Sequence, residues 1–372
     1  MKILFVSMNS IHFRRWSDQL RDSGHEVYWF DVKDQGYAPS MSWMTQITGW
    51  KKGFLKKRGR TFIKNKFPQF YKTLVRRFDH PIQDAFAKAL IEIEPDVVHS
   101  FALYTSCLPI LSIMNQFNKL PWIYSSWGSD LFNKKNKPDY LDEVPLVLKR
   151  VDYLITDCHR DFIIAKENGF KGRFLGVYPG GGGFNKRLFN QERNKNSFIV
   201  KGYHNDIGKA IPVLEALIDL SKSQPLEIII FGASIEVLEY LKLQKDTSTS
   251  LRCYENISRD KLFKLLDNSR FYIGNSLSDG MPNTLFESIF CGCIPIQSNP
   301  GNVTEELITH GVNGFLIEHP LNVCHIKNVI NEALNDNKSI GNFYDNNADL
   351  RDFYERSNIQ QKVIDMYNTL LV

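Results

Sequence analysis

The stretch Asn275–Pro300, NSLSDGMPNTLFESIFCGCIPIQSNP, decides the fold of this chain. It follows Phe271–Ile273, an apolar run typical of a buried parallel strand, and it opens with turn residues over Ser276–Pro282. Asn283 or Thr284 is expected to cap the helix that comes next. The stretch therefore predicts a β-α unit whose loop lies at the carboxyl end of a parallel strand.

Two carboxylates mark this unit as a candidate ligand site. Asp279 lies in the loop and Glu287 lies inside the helix. A helix N-terminus beside a Gly-containing loop favours anions, and carboxylates accept hydrogen bonds from hydroxyls. The pattern suits a ligand with both phosphates and hydroxyls, such as a sugar nucleotide. From spacing alone, the alternative is an ordinary β-α unit with a loop Asp and a solvated Glu.

The rest of the chain repeats the alternation of apolar strands and amphipathic helices. The expected strands are Ile3–Ser7, Glu26–Phe30, Asp96–Phe101, Leu120–Ser126, Val151–Thr156, Phe174–Tyr178, Ser197–Lys201, Glu227–Gly232, Leu251–Tyr254 and Ile294–Ile296. The expected helices are His12–Ser23, Ile82–Glu94, Asp161–Asn168, Ala210–Leu220, Ile235–Leu243 and Asp260–Asn268. All-apolar strands in this order predict two doubly wound, parallel α/β domains that face each other across a cleft.

The Gly-rich run Pro179–Gly183 predicts the hinge between the two domains, because four consecutive glycines do not suit a helix or a stable strand. The predicted domains are residues 1–182 and 183–350. The remaining segment, residues 351–372, predicts a C-terminal helix that could pack back on the first domain.

Composition excludes several classes of protein. The 372 residues are 43% hydrophobic, enough for two cores, and no apolar run is long enough to span a bilayer. The six cysteines are scattered apart from Cys291 and Cys293, which favours buried thiols in a reduced cytosolic protein over a zinc site. The N-terminus reads as a first strand rather than a signal peptide. No G-x-G-x-x-G motif indicates a nicotinamide or flavin cofactor.

The positive charge of the chain is concentrated in one segment. Between Trp50 and Phe78 there are eleven Lys and Arg and no acidic residue, and the remainder carries 35 basic against 41 acidic residues, or −6. Aromatic residues at helical spacing accompany the charges, which predicts a contact with an anionic membrane surface. The predicted contact residues are Lys51, Lys52, Lys56, Lys57, Arg58, Arg60, Lys64 and Lys66. The alternatives are a solvated insertion and, less favoured, a nucleic-acid contact.

The first domain offers its own candidates where its strands end. His12, Arg14 and Arg15 follow the first loop, His99 ends a strand, and Asp130 lies in a Gly-containing loop after the next strand. The alternatives are a polar helix face for the first three residues and a structural role for His99.

Taken together, these segments resemble the retaining glycosyltransferases of family four. Asp279-x7-Glu287 followed by Ser288-Ile-Phe-Cys-Gly292-Cys-Ile-Pro295-Ile296 resembles the family signature, Glu-x7-Glu and then Ala-x-x-x-Gly-x-Pro-Val. The end of the family signature is matched by Asn302–Glu306 (NVTEE) and Gly311–Leu316 (GVNGFL). Segments of the family's first domain are matched by HFRRWSDQLRDSGHEV, PDVVHSF and SSWGSD. The resemblance covers nearly the whole chain in the same order and is weakest over residues 33–80.

The resemblance implies the GT-B fold and a role for each matching residue. It implies that Glu287 holds the ribose hydroxyls and that Asp279, here one methylene shorter than the usual Glu, lies against the transferred sugar. Lys209, with Lys201, is implied to neutralise the diphosphate, and Tyr203 stands where the family usually has Arg. The loop residues implied to face the sugar and diphosphate are Gly280, Met281, Pro282, Asn283 and Thr284. His99 and Asp130 are implied to border the reacting sugar and the acceptor, as further catalytic candidates. On the acceptor side we expect His12, Arg14, Arg15 and Trp127.

The function implied is retaining transfer of a sugar from a nucleoside diphosphate sugar, with UDP-sugar favoured, to a glycolipid, polysaccharide or other cell-surface glycan. No Asp-x-Asp clamp is evident, so we expect no metal and no cofactor besides the nucleotide-sugar co-substrate. The expected location is cytoplasmic, peripheral on the inner face of the cell membrane, with no nucleic-acid partner. The alternatives are a sugar-nucleotide epimerase of the same fold and a non-catalytic protein that binds nucleotides or nucleic acid.

Overall fold

The computed structural model describes residues 1–51, 82–128, 130–133, 141–244 and 250–371, and the chain divides into two compact units. The first unit comprises Met1–Thr156, Asp161–Gly182 and Lys362–Val372, and the second comprises Asp157–Arg160 and Gly183–Gln361. The sequence places Asp157–Arg160 inside the first domain. In the structure this short segment packs with the second unit instead.

The first unit contains a parallel sheet of seven strands. These are β1 (Lys2–Ser7), β2 (Glu26–Asp31), β3 (Thr45–Ile47), β4 (Val97–Phe101), β5 (Trp122–Ser125), β6 (Tyr153–Thr156) and β7 (Arg173–Val177), in the order β3-β2-β1-β4-β5-β6-β7. The associated helices are α1 (Ile11–Ser17), α2 (Ile82–Ile93), α3 (Leu111–Gln116), α4 (Val144–Arg150) and α5 (His159–Glu167). Strand β3 and helices α3 and α4 were not predicted from the sequence.

The second unit contains a parallel sheet of six strands. These are β8 (Ser197–Lys201), β9 (Glu227–Phe231), β10 (Ser250–Tyr254), β11 (Phe271–Gly274), β12 (Ile294–Ser298) and β13 (Phe315–Ile317), in the order β10-β9-β8-β11-β12-β13. The helices are α6 (Ala210–Ser221), α7 (Ile235–Leu243), α8 (Arg259–Asn268), α9 (Asn283–Phe290), α10 (Val323–Asn335), α11 (Ile340–Asn346) and α12 (Ala348–Phe353). Helix α13 (Arg356–Asn368) begins in the second unit, and its residues from Lys362 onward belong to the first. Two parallel doubly wound sheets are the fold class that the sequence predicts.

Burial on both faces explains why the inner strands of the second sheet are apolar at their central positions. Phe198 and Phe271 face one core, which also contains residues of α6 and α10. Ile199 and Tyr272, one position further along the same strands, face the opposite core with residues of α8 and α9. Because successive side chains of a strand point to opposite faces, a strand covered on both sides needs an apolar residue at every position.

The strand order reverses between β8 and β11, which are hydrogen-bonded neighbours in the second sheet. In the first sheet the reversal falls between β1 and β4. The chain leaves these paired strands in opposite directions along the sheet, so a crevice opens at their carboxyl ends. The topology therefore puts the loops after β8 and β11 at the position where open α/β sheets bind ligands.

Helix α1 is shorter than predicted. Ser10 accepts a hydrogen bond from the amide of Phe13 and begins the helix, which ends at Ser17 rather than Ser23 and continues as a 3-10 turn, Asp18–Leu20. The Ser17 hydroxyl donates to the carbonyl of Arg14, a local bond that competes with regular helix geometry.

Two further sequence expectations concern chemistry outside the candidate site. Cys291 and Cys293 are buried, and burial raises the pKa of Cys293 to about 12, so this thiol stays protonated in the core. Within the described ranges, no helix has both the length and the apolar character needed to cross a membrane.

Candidate active site

The loops after β8 and β11 are joined directly to each other at the switch point of the second sheet. The amide of Lys209 donates to the carbonyl of Asn275 at 2.9 Å, and the side-chain amide of Asn275 donates back to the carbonyl of Lys209 at 2.9 Å. The amide of Leu277 donates to the carbonyl of Ile207 at 2.9 Å. Two candidate segments that lie far apart in the sequence therefore form one site.

Two glycines make this arrangement possible. A Cβ on Gly202 would lie 2.5 Å from Cγ2 of Ile230, and a Cβ on Gly208 would lie 2.5 Å from the carbonyl oxygen of Tyr203. Neither distance leaves room for a side chain. The β8–α6 loop thus folds tightly enough to deliver Lys209 to the start of α6.

Asp279 lies half-buried in the loop after β11 and faces two cations. Burial raises the pKa of its carboxyl group, whereas the charges of Lys201 and Arg160 lower it. Lys201 is the last residue of β8, so its predicted place near the site agrees with its effect on Asp279. Arg160 was not singled out by the sequence.

Glu287 is buried on α9, with its side chain only 6% exposed, and is paired with a cation that the sequence analysis missed. Nη2 of Arg259 lies 3.2 Å from Oε1 of Glu287, and the half-exposed guanidinium group also lies over the ring of Phe263. Arg259 begins α8, the helix that follows β10. Its position in the sequence, a cation shortly after the end of a predicted strand, could have indicated that Arg259 lies at the ligand-binding edge of the sheet.

Tyr272, in β11, lies within the electrostatic influence of both carboxylates. Its hydroxyl is fully buried, and burial, followed by the charges of Asp279 and Glu287, raises its pKa. Both acids therefore lie close enough to act on one buried hydroxyl group. Among the described residues, Oε1 of Gln297 has no hydrogen-bond partner. A Cβ on Gly274 would lie 2.7 Å from the Tyr272 hydroxyl and 2.2 Å from Oε1 of Gln297.

Two helices begin at the site. Lys209 is the N-cap of α6 and Pro282 is the N-cap of α9, and neither of these two residues caps its helix with its own side chain. The predicted capping residues Asn283 and Thr284 lie inside the first turn of α9, so that expectation was wrong: Pro282, with extended backbone, starts the helix. In α6 the amides of Ala210 and Ile211 donate to the carbonyl of Tyr203 and to Nδ1 of His204, and Pro212 has no N–H, so this helix offers an anion its dipole rather than open amides. The start of α9 likewise presents the positive end of its dipole.

The remaining donor candidates fall into two groups. Gly280 and Pro282 form the loop itself, whereas the side chain of Met281 packs into the core beside α9, which leaves only its backbone for a ligand. Lys209 Nζ donates to the carbonyl of Asn205 at 2.6 Å, and the half-exposed Tyr203 accepts from Asn205 Nδ2 at 2.7 Å.

His204, which the sequence analysis did not select, lies in the same loop. Its Nδ1 accepts from the amide of Ile211 in the first turn of α6, at 3.2 Å, so the proton of the neutral ring is assigned to Nε2. Burial, together with the charge of Lys209, lowers the pKa of His204. The ring is therefore a neutral donor at neutral pH.

In the first unit, His99 does not lie where the sequence placed it. It is fully buried inside β4, with Nε2 2.7 Å from the hydroxyl of Ser125 and Nδ1 2.5 Å from the hydroxyl of Tyr367. Its ring stacks on Phe101, and burial holds its pKa well below 6.5. Both ring nitrogens are engaged in the interior, so the structural alternative describes His99 better than a catalytic role.

Asp130 lies in the loop after β5, as predicted, but its carboxylate is occupied by the protein. Oδ2 accepts from the amide of Leu103 at 2.8 Å and from the hydroxyl of Tyr124 at 3.2 Å. Burial raises the pKa of Asp130 to about 6 despite these hydrogen bonds. The bond to Leu103 supports the strained turn at Ala102, whose φ is +66°, at the start of a π-helical turn, Leu103–Cys107.

The acceptor-side candidates lie at the carboxyl edge of the first sheet. His12 is exposed, with its ring centroid 5.8 Å from that of the half-buried Trp127, and Arg14 Nε donates to Oδ1 of Asn9 at 2.7 Å. Arg15 is half-buried on the same helix. The structure therefore brings His12 and Trp127 together and leaves Arg14 at the surface.

The predicted membrane segment lies almost entirely outside the described residues. Lys51 is described, and its amide donates to Oδ2 of Asp34 at 2.7 Å. The other predicted contacts, which lie outside the described residues, are Lys52, Lys56, Lys57, Arg58, Arg60, Lys64 and Lys66. The membrane contact stays a prediction.

Comparisons with known proteins agree with this fold. Residues 194–349 match the family model described as glycosyl transferases group 1. The chain is similar in structure to Anabaena Alr3699/HepE, solved with UDP and with UDP-glucose, with a TM-score of 0.69, 14% identity and coverage of 99% of this chain and 100% of that one. It is also similar to the sucrose-phosphate synthase tll1590 of Thermosynechococcus elongatus, with a TM-score of 0.70, 14% identity and coverage of 100% and 99%.

A third similar structure is a glycosyltransferase from Rickettsia africae ESF-5, with a TM-score of 0.67, 14% identity and coverage of 100% of this chain and 98% of that one. No curated protein sequence matches the chain. The structural similarities concern the fold, and the residues matched by the family model, 194–349, lie within the second unit.

Proposed function

We propose that this chain is a retaining glycosyltransferase that takes its sugar from a nucleoside diphosphate sugar, with UDP-sugar favoured. The observation that carries the proposal is the grouping of Glu287, Asp279, Lys201 and Lys209 around the starts of α6 and α9 at a switch point. A nucleoside diphosphate sugar has the complementary groups: ribose hydroxyls for Glu287, phosphates for Lys209 and the helix ends, and a sugar for Asp279. The UDP complexes of HepE support the choice of donor.

The chemistry follows from the charges. As the bond between the anomeric carbon and the diphosphate oxygen breaks and the acceptor hydroxyl oxygen bonds to that carbon, negative charge grows on the leaving group and positive charge grows on the sugar ring. The proton of the acceptor hydroxyl passes to the leaving diphosphate. Lys209 and the helix ends stabilise the first charge, and the Asp279 carboxylate stabilises the second. Each factor of ten in rate needs about 1.4 kcal/mol of such stabilisation. Since these groups supply positive charge at the diphosphate, the proposed reaction needs no metal ion and no further cofactor. No protein nucleophile is assigned.

The proposed acceptor is a glycolipid, polysaccharide or other cell-surface glycan, reached by an enzyme peripheral to the cytoplasmic face of the membrane. Support for this part comes from the basic aromatic stretch between Trp50 and Phe78 and from His12 and Trp127 at the edge of the first sheet. An aromatic ring beside a polar ring suits the apolar face and the hydroxyl groups of a sugar.

The test begins with a thermal-shift panel of UDP, GDP, ADP and CDP, with and without EDTA. We expect UDP to raise the melting temperature, unaffected by EDTA, since ligand binding stabilises the folded state. NMR of the matching UDP-sugars then follows hydrolysis and transfer, and the product should keep the anomeric configuration. Failure of every nucleoside diphosphate to stabilise the protein contradicts the proposal. Conversion of a donor to its epimer without acceptor would favour the epimerase instead.

A further inference from the structure

We propose that Arg160 is a positioning residue that fixes the loop carrying Asp279, an inference that rests on the proposed function for its consequence in catalysis. Its Nη2 donates to the carbonyl of Asp279 at 2.7 Å, and its Nη1 donates to the carbonyl of Pro300 at 2.7 Å. One planar guanidinium group thereby ties the loop after β11 to the loop after β12. Five donors in a rigid plane make arginine suited to joining two backbone segments.

The segment that carries Arg160 is itself anchored to the second unit. The amides of His159 and Arg160 donate to the two carboxylate oxygens of Glu306 at 2.6 and 2.9 Å. Glu306 lies in a 3-10 turn, Thr304–Glu306, that follows Pro300 closely in the chain. Glu306 thus binds the backbone of the segment, and Arg160 of the same segment binds the backbone of Asp279. These contacts explain why Asp157–Arg160 packs with the second unit.

The loop that carries Asp279 also packs directly against the segment Asp157–Arg160. A Cβ on Gly280 would lie 2.3–2.6 Å from the carboxylate atoms of Asp157, which is itself buried. Gly280 therefore rests against the segment with no space between them. A shift of Asp157–Arg160 must move the residue next to Asp279.

The positive charge of Arg160 also favours the catalytically useful state of Asp279, in addition to the hydrogen bonds that hold its loop. Burial favours the neutral form of Asp279, and the nearby cations Lys201 and Arg160 oppose that effect on its pKa. A charged carboxylate is the form that stabilises a positive sugar ring. Glu287 is held by other residues, on α9 and α8, so loss of Arg160 should reduce turnover more than nucleotide affinity.

The test compares Arg160→Gln and Arg160→Lys with Arg193→Gln. Arg193 is a matched control because it lies in the same unit and also donates to backbone carbonyls, those of Leu266, Ser269 and Cys291, without contacting the Asp279 loop. We expect Arg160→Gln to lower kcat by about 10- to 100-fold while the Kd for UDP changes by less than about 3-fold. Arg160→Lys should recover part of kcat, because the charge remains.

Hydrogen exchange in the ligand-free protein tests the positioning without turnover. The amides of residues 276–281 should exchange faster in Arg160→Gln than in wild type. In Glu306→Gln, which loosens the other end of the anchor, they should also exchange faster than in wild type, but by a smaller factor. They should be unchanged in Arg193→Gln. Unchanged exchange in Arg160→Gln, or an equal loss of kcat in Arg193→Gln, overturns the inference. Absence of UDP binding and transfer in the wild-type protein would overturn the proposed function instead.

Discussion

Glu287 is the residue on which the proposed donor site depends most. A carboxylate that accepts hydrogen bonds from ribose hydroxyls contributes about 1.5–3 kcal/mol for each bond. We therefore expect Glu287→Gln to weaken UDP binding by about 10- to 100-fold, measured by isothermal titration calorimetry. The melting temperature should change little, because the half-exposed Arg259 can be solvated when its partner loses its charge.

The second unit offers a matched control for Glu287. Glu227 also pairs with an arginine, Arg252, but it lies at the first position of β9, the opposite edge of the sheet from the site. Glu227→Gln should leave the affinity for UDP unchanged. Equal affinity in wild type and Glu287→Gln would remove Glu287 from the site.

His99 shows how a residue at a predicted ligand edge can belong to the core. Its pKa is well below 6.5 in the folded protein, so below pH 6.5 the unfolded chain takes up a proton that the folded protein resists. We expect the free energy of unfolding to fall as the pH drops below 6.5, with His99 contributing up to about 1.4 kcal/mol per pH unit.

Urea unfolding at pH 5, 6 and 7 measures this contribution. His99→Gln should be less stable than wild type at pH 7, since it loses a buried hydrogen bond, but its stability should depend less steeply on pH. Its affinity for UDP should match that of wild type. Parallel pH dependence in the two proteins contradicts a buried neutral His99.

At the scale of the element, the long strands were predictable and the short ones were not. Strands such as β8 and β9 are apolar at their central positions because both faces are covered, and a single sequence contains that signal. Strand β3 has three residues, and its Gln46 side chain bonds to the backbone of Ala38 and Met41. Such an element depends on contacts outside its own residues and leaves no periodic pattern.

The same distinction applies to the site. Asp279, Glu287 and Lys209 stand in loops and helix starts that the sequence identifies. Arg160 and Arg259 join them only through folding, because each reaches a partner far away in the chain. Charged residues without a motif look like ordinary surface residues until the fold brings them to the ligand edge.

The β8–α6 loop gives a prediction about an element rather than a single side chain. In Gly208→Ala the new Cβ would lie 2.5 Å from the carbonyl oxygen of Tyr203, so the loop that places Lys209 must shift. We expect UDP affinity to fall by about 10-fold or more, comparable to Lys209→Met, as calorimetry would measure. Gly341→Ala is the control, since its Cβ would lie 3.4 Å from the Ser339 hydroxyl and meets ordinary contact. Equal effects of the two glycine variants would argue against a role for the loop.

At the scale of the whole molecule, the positive charge expected to attract a membrane is concentrated in one segment, and the rest of the chain is net negative. Removing the eleven basic residues between Trp50 and Phe78 turns the formal net charge from +5 to −6. Most of the protein should therefore be repelled by an anionic bilayer. Attraction must come from that one segment, at about 1 kcal/mol for each Lys or Arg near the surface.

Vesicle co-sedimentation tests this prediction. The wild-type protein should sediment with anionic vesicles but not with neutral ones, and salt should release it because surface charges are screened beyond about 8–10 Å at physiological ionic strength. The test variant has Gln in place of eight residues: Lys51, Lys52, Lys56, Lys57, Arg58, Arg60, Lys64 and Lys66. This variant should lose binding to anionic vesicles and keep its affinity for UDP. Equal binding to both kinds of vesicle, insensitive to salt, would contradict electrostatic attachment. Loss of UDP binding in the variant would place the basic segment within the fold that supports the donor site.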